Sequence, residues 1–170
     1  MSCTSLIQIL NGCDNNVGGI TEVKINDMSA ITSEDRDAAT HTVTERVVSD
    51  DYVKFEFRRN VGNYTEEAQI NMENGSTFYL QTVMLKLFKR EASKSKSIQI
   101  AAEGQRDLSV MVKCADGSCW DFPYSQLATD TGGSGTAKAD GSNYEITFRA
   151  ESLTKAYEID PVLYESLGKG

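Results

Sequence analysis

The chain has 170 residues, 39% of them hydrophobic and 25% charged, which is long enough for one well-buried domain, short for two, and too apolar for general disorder. No apolar run approaches the roughly 20 residues of a membrane helix, so a soluble protein with no membrane partner is expected. The formal net charge of −8 argues against a grip on nucleic acid, whose phosphates are held by lysine and arginine; it suits solubility, or a lining past which DNA slides without sticking.

Residues 1–19 form an N-terminal arm ending in the turn-forming run Asp14-Asn15-Asn16-Val17-Gly18-Gly19. Within it Leu10-Asn11-Gly12-Cys13 resembles a lipoprotein cleavage box, but the preceding residues carry no lysine or arginine and only a short apolar core, so an export signal is not expected. The first strand is expected at Ile20 to Asn26. Residues 27–50 are polar and read as either irregular structure or a short strand at Thr42 to Val48, and they lack the bias of a linker. Tyr52 to Arg58 alternates cleanly, as a half-buried strand does, and Arg59 to Asn63 turns the chain.

The run Met72 to Phe88 organises the rest. Asn74-Gly75 supplies a tight hairpin turn, and Tyr64 to Met72 is the polar partner arm. Phe78, Leu80, Met84 and Phe88 fall on one face of the apolar arm and Tyr79, Val83, Leu85 and Leu87 on the other. A strand apolar on both faces must be covered on both, by its own core on one and by a sheet, a helix or a neighbouring subunit on the other. The long hairpin is expected to reach beyond its own domain.

Lys89 to Gly104 is the one helix candidate, with Ile98, Ala101 and Ala102 as its stripe and Gly104 as terminator. Leu108 to Cys114 and Cys119 to Tyr124 make a second hairpin around Asp116-Gly117. If that dipeptide is a two-residue loop, Cys114 lies opposite Cys119 and a cross-strand disulfide is geometrically available. Four cysteines fall short of a disulfide scaffold, however, and reduced thiols in a reducing compartment are expected. Residues 128–143 read as a loop of turn formers, Tyr144 to Ala150 as the last core strand, and 151–170 as a tail that is either docked on a neighbour or loose. The sum is a single, mainly β domain over residues 1–170: a β-sandwich or barrel with one flanking helix and a long extended hairpin.

Catalytic patterns are weak. Asp130-Thr131-Gly132 matches the aspartic protease tripeptide but follows no apolar strand and has no partner tripeptide. The lone His41 has no motif context, and the cysteines lack the two-residue spacing of a zinc knuckle. Neither Asp14-Asn15-Asn16 nor Asp140-Gly141 carries the spaced carboxylates of a calcium loop, and Gly132 to Gly135 lacks the lysine of a phosphate loop. No enzyme activity, cofactor or metal is expected.

Several features in order carry a resemblance. Met1-Ser2-Cys3 followed by Gly12 to Ile20, then Ala102-Glu103-Gly104, the strand through Val110 and Val112, the Asp116-Gly117 turn, the run Gly135 to Gly141 and Tyr144 to Phe148 resemble structural proteins of phages of Bacteroidetes bacteria, and in that order the tail tube proteins. The resemblance implies a subunit of hexameric rings that stack into a tube, a conduit through whose acidic lumen viral DNA passes at ejection. It also implies a virion location in the tail, assembly in the host cytoplasm and other tail proteins as partners. The expected inter-subunit residues are Tyr64, Ile70, Met72, Tyr79, Val83, Leu85 and Leu87. The alternatives are another tail, connector or head-decoration component, or a carbohydrate-binding β-sandwich module that uses Trp120 and Tyr124.

Overall fold

A computed structural model describes residues 5–168. In chain order the elements are β1 (Ile20–Asp27), β2 (Ile31–Asp37), β3 (Thr42–Val48), β4 (Val53–Phe55), β5 (Gly62–Asn71), β6 (Ser76–Phe88), α1 (Ala92–Ala102), β7 (Leu108–Cys114), β8 (Cys119–Ser134), β9 (Ser142–Ser152), β10 (Tyr157–Ile159) and α2 (Pro161–Ser166). The first sheet runs β2-β3-β10-β8-β7-β1-β4. All its pairings are antiparallel except that of β10 with β3. The second sheet, antiparallel throughout, runs β5-β6-β9-β8.

The long strand β8 belongs to both. Its first part pairs with β7 and β10, and from Gln126 onward it pairs with β9. The switch falls at Pro123-Tyr124, where Pro123 has no N–H to donate, Tyr124 takes φ of 55°, and the register with β7 slips between Val110 and Leu108. A bulge of this kind turns a strand from one layer into the next.

The main core lies between the layers. Val23, Ile25, Val110, Val112 and Phe122 of the first sheet meet Val83, Leu85, Leu87, Ile146 and Phe148 of the second, with Ile98 of α1 closing one side. A second apolar cluster covers the outer face of the first sheet, where Val43, Tyr52, Met111, Cys119 and Ile159 pack under Tyr164 and Leu167. Strand β7 is therefore buried on both faces, which is why it reads as Leu-Ser-Val-Met-Val without polar alternation.

Several expectations are corrected. The polar stretch 27–50 contains a second full strand, β2, which pairs along β3 from Ile31↔Val48 to Asp37↔Thr42. Only Val53–Phe55 of the expected strand 52–58 joins a sheet. The residues 128–143 taken as a loop include the end of β8, up to Ser134. The tail is neither loose nor left to a neighbour: β10 sits between β3 and β8, and α2 lays the fully buried Tyr164 on its own sheet. Asp160 caps that short helix, accepting from the Val162 N–H at 2.8 Å, with Pro161 at its first position.

The cysteine pair is separated by strand parity. The Asp116-Gly117 connection is longer than two residues: the Cys114 N–H donates to the Ser118 carbonyl, and Gly117, at φ 93°, donates to the Cys114 carbonyl. Ser118 thus lies opposite Cys114, and Cys119 pairs with Lys113. Successive side chains point to opposite faces, so Cys114 joins the core between the sheets and Cys119 the outer cluster. Both are free thiols, and burial pushes Cys119 up to about 11. The same parity removes a zinc site that uses both; Cys3 lies outside the described residues.

Candidate assembly surface

The β5–β6 hairpin is built differently at its turn from the sequence expectation. Four residues, 72–75, connect Asn71 to Ser76, and Gly75 at φ 71° donates its N–H to the Asn71 carbonyl at 2.9 Å. The Asn71 side chain accepts from the Glu73 N–H at 2.9 Å, fixing the loop from within. The resulting register sets Tyr64 opposite Val83 and Gly62 opposite Leu85, while β9 places Phe148 opposite Val83 and Ile146 opposite Leu85.

That register decides which face of β6 is covered. Val83, Leu85 and Leu87 are 1%, 2% and 5% exposed in the core of their own chain, so they are corrected from inter-subunit to intrachain residues. The first sheet lies directly over them. Tyr64 is half-buried beside them, its ring centroid 5.4 Å from that of Phe122, and its hydroxyl accepts from the Cys114 thiol at 3.8 Å. Tyr79 is half-buried with the Lys155 ammonium 5.9 Å from its ring centre. Ile70 and Met72, at 66% and 93% exposure, stand free at the far end of the hairpin. Glu66 ties the hairpin's middle to the chain, accepting from Gln81 Nε2 at 2.8 Å and from the Ala156 N–H at 2.7 Å.

The opposite face of the second sheet mixes polar and apolar side chains and is partly open to solvent. By register it carries Asn63, Thr65 and Glu67 on β5, Phe78, Leu80, Thr82, Met84, Lys86 and Phe88 on β6, Glu145, Thr147 and Arg149 on β9, and Thr129 on β8. Lys86 and Glu145 form an ion pair at 3.0 Å across β6 and β9, so the face carries both signs.

Both edges of this sheet are open. Among the described residues β5 pairs only with β6 along its ten residues, and β8 from Gln126 to Ser134 pairs only with β9. Three antiparallel steps separate them, so the two edges run in opposite directions. Natural sheets usually blunt such edges with lysine, proline or a bulge. Here β5 carries Glu66 and Glu67, and the β8 edge has one slip in register, between Leu127 and Thr129, and no lysine or proline. This second edge was missed because Thr-Asp-Thr-Gly-Gly-Ser reads as turn chemistry. The signal available was the alternation of the β-branched Thr129 and Thr131. Gly132 is there for space, since a Cβ at that position would meet the Tyr144 ring at 3.0 Å.

The remaining chemical candidates have structural partners. Asp130-Thr131-Gly132 lies exposed within β8, opposite Ile146, Glu145 and Tyr144. His41 stacks on Tyr157 with centroids 4.0 Å apart. Trp120 packs against the main core and donates from Nε1 to Ser118 Oγ at 3.2 Å, while Tyr124 is 62% exposed. Among the described residues no three His, Cys, Asp or Glu side chains gather as a metal site, and no helix is long and apolar enough to cross a membrane.

A buried charged cluster pins β2 and β3 to the sheet. Arg46 donates from Nη1 and Nη2 to the two oxygens of Asp121 at 3.1 and 2.7 Å, from Nη1 to Tyr52 Oη at 2.9 Å, and from Nε to Glu34 at 2.6 Å. Arg36 adds a second guanidinium to Asp121 at 2.6 Å. Burial opposes the charge on Arg46, but Asp121, Tyr52 and Glu34 together outweigh it and hold the guanidinium above its ordinary value. Each member of this cluster is occupied by another. Comparison of the chain with family models, with curated proteins and with solved structures returned no match.

Proposed function

We propose that the protein is a non-enzymatic virion subunit, a phage tail tube protein or a tube-like ring component of the tail. The observation that carries the reading is the pair of open, oppositely directed edges on one four-stranded sheet. Set head to tail, β5 of one copy beside residues 126–134 of the next continues the antiparallel alternation across the junction. A head-to-tail contact of this kind closes into a ring when its rotation permits. The core-facing side of the sheet stays inside each subunit, and the outer side, where Phe78, Leu80, Met84 and Phe88 stand among threonine, asparagine and charges of both signs, lacks the excess of lysine and arginine that holds a phosphate backbone. Hexameric symmetry and stacking are what the resemblance adds.

Light scattering and negative-stain microscopy of the purified protein test this directly. Rings or tubes are expected, and a monomer that persists at high concentration refutes the reading. Ladder bonds alternate sides along an edge strand, so of the two variants Ala68→Pro and Gln69→Pro, one removes only an outward N–H. That variant is expected to fold as a monomer, and ring formation by both variants refutes the edge contact. The carbohydrate-binding alternative has less support, because Trp120 is engaged by the core and only Tyr124 of that pair is well exposed.

A further inference from the structure

The N-terminal arm is the most apolar exposed segment of the molecule. Leu6, Ile7, Ile9 and Leu10 are 102%, 77%, 92% and 76% exposed, and no charged residue precedes Asp14. Single exposed hydrophobics are ordinary, but four in five consecutive positions form a patch that marks a contact. These exposures leave the four side chains without cover from the described part of their own chain.

A matching surface lies between β4 and α1. There a groove of about 300 Å³ is lined by Val53 and Phe55, reaches the core residues Leu87 and Ile98, which are 5% and 3% exposed, and has Ser93 and Ser97 on the helix side, with Lys54, Glu56 and Lys94 also lining it. Val53 is itself 56% exposed. Among the described residues strand β4 pairs on one side only, with β1, so its other edge is open to pairing beside this partly apolar slot. An extended segment with apolar side chains at alternate positions satisfies both needs: its backbone completes the edge, and its inward side chains fill the groove. Ile7 and Ile9 have that spacing, and the arm around them carries no charge to desolvate.

We propose that residues 6–10 of one copy add as a strand along β4 of a second copy, with Ile7 and Ile9 entering the groove between β4 and α1. Donor and acceptor are different surfaces of the same chain, so the contact is directional and passes from copy to copy. It uses neither open edge of the second sheet and stands whether or not those edges form rings.

Thiol cross-linking tests it in the full chain, in a Cys3→Ser, Cys13→Ser background that leaves only the buried Cys114 and Cys119. A copy carrying Asn11→Cys is mixed with a copy carrying Ser93→Cys or Ser97→Cys and oxidised mildly. The expected result is a cross-linked dimer of unlike copies, at least tenfold above a control mixture with Glu73→Cys in the exposed hairpin loop. Adding Ile7→Asp to the arm donor is expected to reduce that dimer at least tenfold without affecting the fold, since Ile7 is 77% exposed. Cross-linking no greater than the control overturns the proposal. So does an Asn11→Cys, Ser97→Cys double variant that closes only within one chain. Rings seen by microscopy without this cross-link leave the edge contact standing and remove the arm contact.

Discussion

Replacing Asp121 by asparagine removes one negative charge from a fully buried position and leaves two guanidinium groups, Arg46 and Arg36, facing a neutral amide. Arg46 is 4% exposed and cannot turn to water, whereas the Arg36 side chain, at 24%, can partly do so. Breaking a buried pair by removing one partner costs about 3–5 kcal/mol, a large part of the roughly 5–15 kcal/mol that holds a domain folded. With a urea slope of about 2 kcal/mol per molar for a small protein, the midpoint is expected to fall by about 2 M. Trp120, the only tryptophan, sits next to Asp121 in β8 and reports the transition by its fluorescence. Arg46→Met combined with Asp121→Leu removes the pair together and is expected to lie at least 1 kcal/mol above the weaker single variant, because no buried charge remains without its partner. An Asp121→Asn protein within about 1 kcal/mol of the parent, or a double variant no better than its singles, refutes the account of this cluster as a charge-matched pin.

Three further outcomes are expected. Leu85→Ala, deep between the sheets, should cost about 2–5 kcal/mol in urea unfolding, and a loss of assembly with unchanged stability would return Leu85 to a subunit interface. Among the described cysteines, Cys13 should react with a thiol reagent at once, while Cys114 and Cys119 react only on unfolding, because burial raises both thiols above their ordinary value; rapid labelling of either opposes this. Hydrogen bonds from Ser29 hold Asp27, and bonds from Ser118 hold Asp116, below the usual carboxylate value, and the bond from Lys113 does the same for Glu165. Groups depressed in the folded state contribute stability that is present above their unfolded values and lost as pH falls through the folded ones, so the urea midpoint should decline below about pH 4 and change little between pH 6 and 8.

Much of the architecture was legible from alternation and turn residues. The Leu108–Cys114 strand and the helix before Gly104 stand where periodicity and breakers put them, and of the two readings of Thr42–Val48 the strand is the one found. What escaped was set by pairing at long range. Strand β2, Ile-Thr-Ser-Glu-Asp-Arg-Asp, has no apolar alternation because its inward side chains are Glu34 and Arg36, satisfied by Arg46 and Asp121 from distant strands. The far end of β8 looks like a loop because it is an edge with glycine beneath the Tyr144 ring. For the candidate surface, the sequence marked the hairpin but reversed its faces. Phe78, Leu80 and Met84 read as greasier than they are used, and only the first sheet's position decides that Val83 and Leu85 point inward. Ile70 and Met72 stand exposed at the hairpin's end.

The switch of β8 at Tyr124 has a mechanical consequence. One unbroken polypeptide run is shared by both layers, so a pull on the free margin at Ser134 travels to the β7 and β10 ladders through covalent bonds and does not depend on side chains gripping across the middle. The layers are thereby prevented from sliding apart independently, and a load applied at that one rim is delivered to both sheets.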